Sequence, residues 1–158
     1  MEQTALMSGT KLETIRKATA ERGIEFFFAQ FVDLYGRPSA KLVPAQNLDD
    51  LVVAGAGFAG FAAGEIGQLP SDPDIAAIPD LDSFTPVPWQ QNLARFACDV
   101  VVEGESWPYC PRTILRNVLA RAKDLGYDFK LGIELEYFLV RRRGDGAIEV
   151  ADADDRLA

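Results

Sequence analysis

Glu134 and Glu136 are the residues whose type and spacing most directly offer chemistry. They lie in Leu131-Gly132-Ile133-Glu134-Leu135-Glu136-Tyr137-Phe138-Leu139, where strand alternation sets Ile133, Leu135, Tyr137 and Leu139 on one face and both carboxylates on the other. At a rise of about 3.4 Å per residue the two acids stand about 7 Å apart along the strand. Such a pair offers hard oxygen ligands to neighbouring Mg²⁺ or Mn²⁺ ions, each cation offsetting the repulsion between the acids. The same alternation describes a half-exposed strand carrying two solvated glutamates, so spacing alone leaves both readings open.

Other chemistries are excluded by composition. The 158 residues contain no histidine, so the chain cannot build a Ser-His-Asp or Cys-His nucleophile system alone, nor an imidazole-ligated zinc site. Its 24 acidic against 16 basic side chains leave a net charge of −8, which argues against nucleic-acid binding, because phosphate neutralisation needs clustered Lys and Arg. Cys98 and Cys110 form no CxxC motif and read as reduced cytosolic thiols. The N-terminus MEQTALMSGTKLETIRK carries charge where a secretory signal has an apolar core. The longest uncharged run, Leu51–Gly64, has 14 residues with four glycines, short of the ~20 apolar residues a spanning helix needs. A soluble, cytoplasmic protein with no membrane partner is expected.

Gly55-Ala56-Gly57-Phe58-Ala59-Gly60 matches the dinucleotide-binding pattern G-x-G-x-x-G. Its third glycine must open a helix, yet Gly64, Gly67, Pro70 and Pro73 follow, and no acid-terminated strand comes about 20 residues later. The motif is set aside.

The elements that would position these residues follow from periodicity and punctuation. Thr10-Lys11-Leu12-Glu13 has capping-box spacing and predicts a helix that starts there and stops at Gly23. Ile24–Val32 and Ser39–Val43 read as a hairpin turned by Asp33-Leu34-Tyr35-Gly36-Arg37-Pro38, followed by a short helix over Ala45–Val53. From Gly55 to Trp89, glycine and proline recur so often that no long regular element is expected, Ile78-Pro79-Asp80 being one of the blocks. Leu93–Val102 alternates as a strand, and Pro111 opens a helix whose stripe is Ile114, Leu115, Val118, Leu119, Ala122 and Leu125. Tyr127–Arg141 is the longest strand candidate, and Arg143-Gly144-Asp145-Gly146 turns into Ala147–Val150. The acidic end, 151–158, reads as unstructured. The order predicts a mixed α+β fold with a seam near residues 104–111.

The motifs, in order, resemble a known family. Gly132-Ile133-Glu134-Leu135-Glu136-Tyr137-Phe138 is similar to the G-x-E-x-E-F-F strand of glutamine synthetases. Phe31-Val32-Asp33-Leu34-Tyr35-Gly36 with Lys41-Leu42-Val43-Pro44 resembles their N-terminal β-grasp hairpin, and Ser71-Asp72-Pro73-Asp74 through Ile78-Pro79-Asp80-Leu81 to Pro88-Trp89 resembles the S-D-x-x-L…P-D…P-W stretch. Cys98-Asp99 and Cys110-Pro111-Arg112 resemble the C-D strand and the P-R start of the first catalytic-domain helix.

The resemblance implies an N-terminal helix at 1–22, a β-grasp domain at 23–105, and at 106–158 the first helix and strands of an incomplete glutamine-synthetase-type catalytic domain. It implies an ATP-dependent carboxylate–amine ligase that forms γ-glutamyl phosphate and then an amide, taking glutamate, ATP and either ammonia or an alkylamine to glutamine or an N-alkylglutamine. Glu134 and Glu136 would be ligands to Mg²⁺ or Mn²⁺, and the intact enzyme would be a homo-oligomeric ring. Phe58-Ala59-Gly60 falls where the family's substrate loop reads F-D-G. Ala59 replaces the ammonium-binding aspartate, which fits either a drifted loop or an alkylamine site of the γ-glutamylmethylamide synthetase subgroup. The family's H-E metal motif and substrate arginines cannot lie in these residues, so the expectation is the N-terminal portion of such an enzyme, inactive alone. The alternative is a non-catalytic β-grasp assembly or binding module of the same fold.

Overall fold

The computed structural model describes residues 2–62 and 68–152, with side chains from residue 9 onward. Residues 63–67 of the expected irregular stretch and 153–158 of the acidic end lie outside the described residues. The chain divides into two compact units, 1–126 and 127–158.

The larger unit is a mixed α/β structure whose sheet is assembled on one long strand. Helix α1 spans Glu2–Arg22, so it begins well before the capping-box spacing predicts. Thr10 lies inside the helix, its carbonyl accepting a 3.0 Å bond from Thr14 Oγ1, because the good helix formers before it carry the helix past a possible start. Ile15 is buried and Leu12 packs against the core. The helix stops where expected: Gly23 adopts φ of 63°, and the Ile24 amide donates back to the Thr19 carbonyl at 2.9 Å.

Strands β1 (Phe26–Val32) and β2 (Pro38–Pro44) form the expected antiparallel hairpin, Phe26 facing Pro44 and Val32 facing Pro38. Helix α2 (Leu48–Ala54) follows a 3₁₀ turn at Ala45–Asn47 and sends Leu48 and Leu51 into the core. Arg16 of α1 pairs with Asp49 at its start.

The stretch read as irregular holds three strands: β3 (Ala56–Phe58), β4 (Ile75–Pro79) and β5 (Thr85–Pro86). Pro79 does not block β4; it is the strand's last residue, opposite Cys98, and Ile75, Ala77 and Pro79 alternate inward. Strand β6 (Leu93–Val102) pairs in parallel with β1 through residues 93–97 and antiparallel with β4 through 98–102. Strand β7 (Glu105–Ser106) folds back on β6 around Glu103 and Gly104, both at positive φ. The strand order is β2-β1-β6-β4-β3, with β5 and β7 also on β6.

The core is aromatic. Phe27 and Phe96 rings lie 5.3 Å apart, Phe84 sits 5.6 Å from Phe96, both pairs tilted, and Phe84 meets Phe27 edge-on at 6.4 Å, contacts that add to burial through aromatic attraction. Helix α3 (Pro111–Asp124) starts with proline in its first turn and buries Thr113. Its expected apolar stripe of Ile114, Leu115, Val118, Leu119 and Leu125 stays exposed.

In the smaller unit, β8 (Val140–Arg142) and β9 (Ile148–Val150) pair antiparallel around the predicted turn, Val140 opposite Val150. The long strand expected over 127–141 is not formed: residues 127–139 join no ladder among the described residues. Alternation there lacks a neighbouring strand to bond with, and Ile133 and Leu135 are 80% and 83% exposed.

Gly55 shows where backbone space is tight. It adopts φ of 75°, and a Cβ there would lie 2.6 Å from Ile78 Cδ1 and 2.9 Å from the Ala77 carbonyl oxygen. It leads into a strand rather than a helix, which closes the dinucleotide-binding reading. Gly57 has open space beside it. Gly55→Ala is expected to lower unfolding free energy by about 2 kcal/mol, while Gly57→Ala changes it by less than about 0.5 kcal/mol. Urea denaturation of both variants checks the contrast, and equal losses would refute it.

Candidate functional site

The residues expected in the substrate loop come at the end of β3. The Phe58 ring stands edge-on to Phe31 of β1, centroids 5.0 Å apart at 86°, and Lys41 Nζ of β2 lies 5.2 Å above it. The hairpin therefore fixes where the loop leaves the sheet. Ala59 is half-buried, and its carbonyl accepts from the Ala62 amide at 3.0 Å, closing the 3₁₀ turn Gly60–Ala62. Gly60 is buried, and a Cβ on it would lie 2.7 Å from Gln68 Nε2. The neighbour is the end of a flexible side chain, so a larger residue at position 60 would require Gln68 to move. Phe58, Ala59 and Phe61 make this loop apolar, with no carboxylate among 58–62.

Next to the loop's anchor, the hairpin turn is organised by Asp33, which sequence reasoning treated only as part of a turn. Its Oδ1 accepts from the amides of Tyr35 at 2.8 Å and Arg37 at 2.9 Å, and its Oδ2 accepts from Arg37 Nε at 2.9 Å. Burial opposes its ionisation, but the Arg37 amide and guanidinium and the Tyr35 amide outweigh that and hold the carboxyl below its usual 3.8. The signal was available: an aspartate at the start of a glycine-containing turn can accept from the amide two residues on, as Asp33 does from Tyr35, which is an Asx-turn.

A second polar cluster joins three motifs that the sequence showed only as separate pieces. Arg112, in the first turn of α3, donates from Nε to Asp99 Oδ1 at 3.0 Å and from Nη2 to Asp80 Oδ2 at 2.6 Å. Arg116, one turn on, donates from Nη2 to Asp99 Oδ2 at 2.8 Å. Asp80 follows β4 and Asp99 lies on β6, so the cluster seats the start of α3 against the sheet. The i,i+4 arginines were the clue, since they share one helix face. Burial raises the Asp99 pKa, but hydrogen bonds from Arg116 and Arg112 and their charges bring it below 3.8. Both cysteines are free and buried. Burial pushes the Cys98 thiol up to about 12, only partly offset by the Gln30 amide and the Arg112 charge, so it is no nucleophile near neutral pH.

Glu134 and Glu136 lie in the smaller unit, exposed and without a hydrogen bond or ion pair among the described residues. No group of three or more His, Cys, Asp or Glu side chains gathers as a metal site among the described residues. No helix among them is long and apolar enough to cross a membrane.

Several known proteins are similar to this chain over most of its length. Residues 108–155 match the glutamine synthetase catalytic domain. A glutamine synthetase of Rhizobium meliloti is 34% identical over 136 residues, 86% of this chain and 31% of that protein. The chain is a relative of the glutamine synthetases. A glutamate–methylamine ligase of Methyloversatilis universalis is 37% identical over 139 residues, covering 87% of this chain and 31% of the ligase. A solved GmaS–ADP complex superimposes with a TM-score of 0.65 at 47% identity, over 70% of this chain and 25% of the GmaS chain. The chain thus spans about a third or less of the length of these relatives.

The Asp99 cluster sets a pH dependence. A carboxyl whose folded pKa is depressed contributes stability that is complete above its unfolded value near 3.8 and lost as pH falls through the folded value. Asp99→Asn is expected to cost about 1–2 kcal/mol at pH 7, with the gap to wild type closing as pH drops below 3.8. Chemical denaturation across the acid range reads this directly, and a gap that stays constant with pH would contradict it.

Proposed function

We propose that this chain is the N-terminal part of an ATP-dependent glutamate–amine ligase. The observation that carries the reading is similarity to glutamine synthetases and to a glutamate–methylamine ligase over 86% and 87% of its length. In this reading 1–22 is a leading helix, 23–105 a β-grasp domain, and 106–158 the start of the catalytic domain. The family match beginning at residue 108 supports that division, and the hairpin set parallel against β6 supports the β-grasp assignment.

Glu134 and Glu136 would hold Mg²⁺ or Mn²⁺. Their carboxylates suit hard cations in kind, being exposed oxygen donors without competing partners, but two acids are a fraction of a six-ligand set. The remaining ligands would have to come from groups other than these two. When bound, the cations neutralise charge on the phosphoryl oxygens as ATP phosphorylates the glutamate γ-carboxylate. The chain's own share is to present the two carboxylates and the apolar loop.

Phe58, Ala59 and Phe61 favour an alkylamine such as methylamine over ammonia. An aspartate at position 59 would attract a small, strongly hydrated ammonium ion, whereas the alanine leaves apolar contact for a methyl group. The enzyme would be a cytoplasmic homo-oligomeric ring, in which a neighbouring protomer covers the exposed Leu34, Tyr35, Leu42 and Trp89.

The test is a chimera in which this chain replaces the matching region of the Methyloversatilis universalis ligase. It should assemble and form γ-glutamylmethylamide in preference to glutamine. Glu134→Gln or Glu136→Gln in it should cut turnover by about 100-fold or more, with weakened Mn²⁺ dependence. The 158-residue chain alone should release no phosphate from ATP with glutamate and either amine. A folded, assembled chimera without turnover would overturn the ligase reading, and preference for ammonia would overturn the alkylamine assignment.

A further inference from the structure

A cavity of about 240 Å³ opens between the outer face of the sheet and the start of α3. Its walls include Gln30 and Val32 of β1, Arg95 and Ala97 of β6, and Pro111 and Arg112 of α3. Ladder register explains the grouping, since Gln30 pairs with Ala97. Phe31, Cys98 and Cys110 line it as well, while Gln30, Val32, Arg95 and Ala97 alternate onto the strand face opposite the buried Phe96.

The polar groups that line it are donors with capacity to spare. Arg95 makes no ion pair or hydrogen bond through its side chain among the described residues, and neither does the Gln30 amide. Arg112 spends Nε on Asp99 and Nη2 on Asp80, leaving Nη1 free of any hydrogen bond among the described residues. No carboxylate lines the cavity, although the chain has 24 acidic residues against 16 basic ones. Asp80 and Asp99 are balanced by Arg112 and Arg116, so Arg95 supplies one unbalanced positive charge.

We propose that this cavity binds a small monocarboxylate with a short apolar body. The carboxylate takes the planar fork of Arg95 with help from the Gln30 amide. The body packs against Val32, Ala97 and Pro111. One uncompensated guanidinium matches a single negative charge better than a phosphate dianion, and the apolar walls offer the latter nothing. A cavity below the usual 300–1,000 Å³ of small-molecule sites limits the ligand to a few heavy atoms. The proposal does not rest on the ligase reading.

Isothermal titration of the 158-residue chain tests it with three probes: isovalerate, its neutral counterpart isovaleramide, and inorganic phosphate. Isovalerate should bind saturably at one site. Isovaleramide should bind about tenfold more weakly or worse, because it forfeits the charge-assisted bonds. Arg95→Gln should weaken isovalerate by a similar factor while leaving thermal unfolding unchanged, since Arg95 is exposed, and Arg95→Lys should recover part of the loss. No saturable isovalerate binding, equal binding of acid and amide, indifference to Arg95→Gln, or preference for phosphate would each overturn the assignment.

Discussion

Strand β6 has to satisfy two environments at once, and the rest of the larger unit depends on how it does so. Four other strands hydrogen-bond to it: β1, β4, β5 and β7. Along it Ala94, Phe96, Cys98 and Val100 are fully buried, while Arg95, Ala97 and Asp99 alternate onto the opposite face. Because side chains alternate with period two, a one-residue slip would drive Arg95 and Asp99 into the aromatic core and lift Phe96 out of it. The cost of burying an unpaired guanidinium or carboxylate thus specifies register for β6. Through the ladders it also specifies the places of β1 and β4.

The outer face of β6 is where the unit acquires polar function. Asp99 receives Arg112 and Arg116 together, so α3 is anchored by its first two turns. Each pair is partly exposed and individually modest, yet sharing one carboxylate between two arginines spreads the cost of ordering the side chains. The anchor leaves the apolar side of α3 uncovered, Leu115 being 56% exposed and Val118 54%. A helix held by ion pairs at its start and bare along its stripe has its direction fixed before its apolar face is buried. The same geometry opens the cavity beside Arg95, since Pro111 and Arg112 face the sheet without closing on it.

How much of this was legible in the sequence follows the range of the forces involved. The hairpin, β6, the stop of α1 at Gly23 and the start of α3 at Pro111 rest on local rules of alternation, glycine dihedrals and proline placement. Strand β4 was missed because Pro79 looks like a breaker, and only the ladder shows it sitting at a strand end. The early start of α1 was missed because Thr10 and Glu13 have capping spacing without being needed as a cap. Of the candidate site, Phe58, Ala59 and Gly60 were singled out by motif. Yet the Gln68 amide that packs against position 60 lies eight residues away and leaves no local pattern. Asp80, Asp99 and Arg112 were each visible in a motif, but their meeting is tertiary.

Residues 131–139 show the limit of alternation as evidence. Ile133, Leu135, Tyr137 and Leu139 have the period of a strand with one buried face, and all four are at least 67% exposed. Hydrophobic burial is non-directional, so the aromatic core of the larger unit closes with whatever apolar groups lie within reach. A ladder and a metal site are directional: the first needs a neighbouring backbone in register, the second several oxygen donors converging from different elements. Glu134 and Glu136 offer two oxygen donors from one short segment, and their like charges repel. The apolar face and the acidic face of this segment are therefore incomplete for the same reason. Both call for groups supplied from elsewhere, which is the physical sense in which the chain is one contributor to a larger catalytic assembly under the proposed ligase reading.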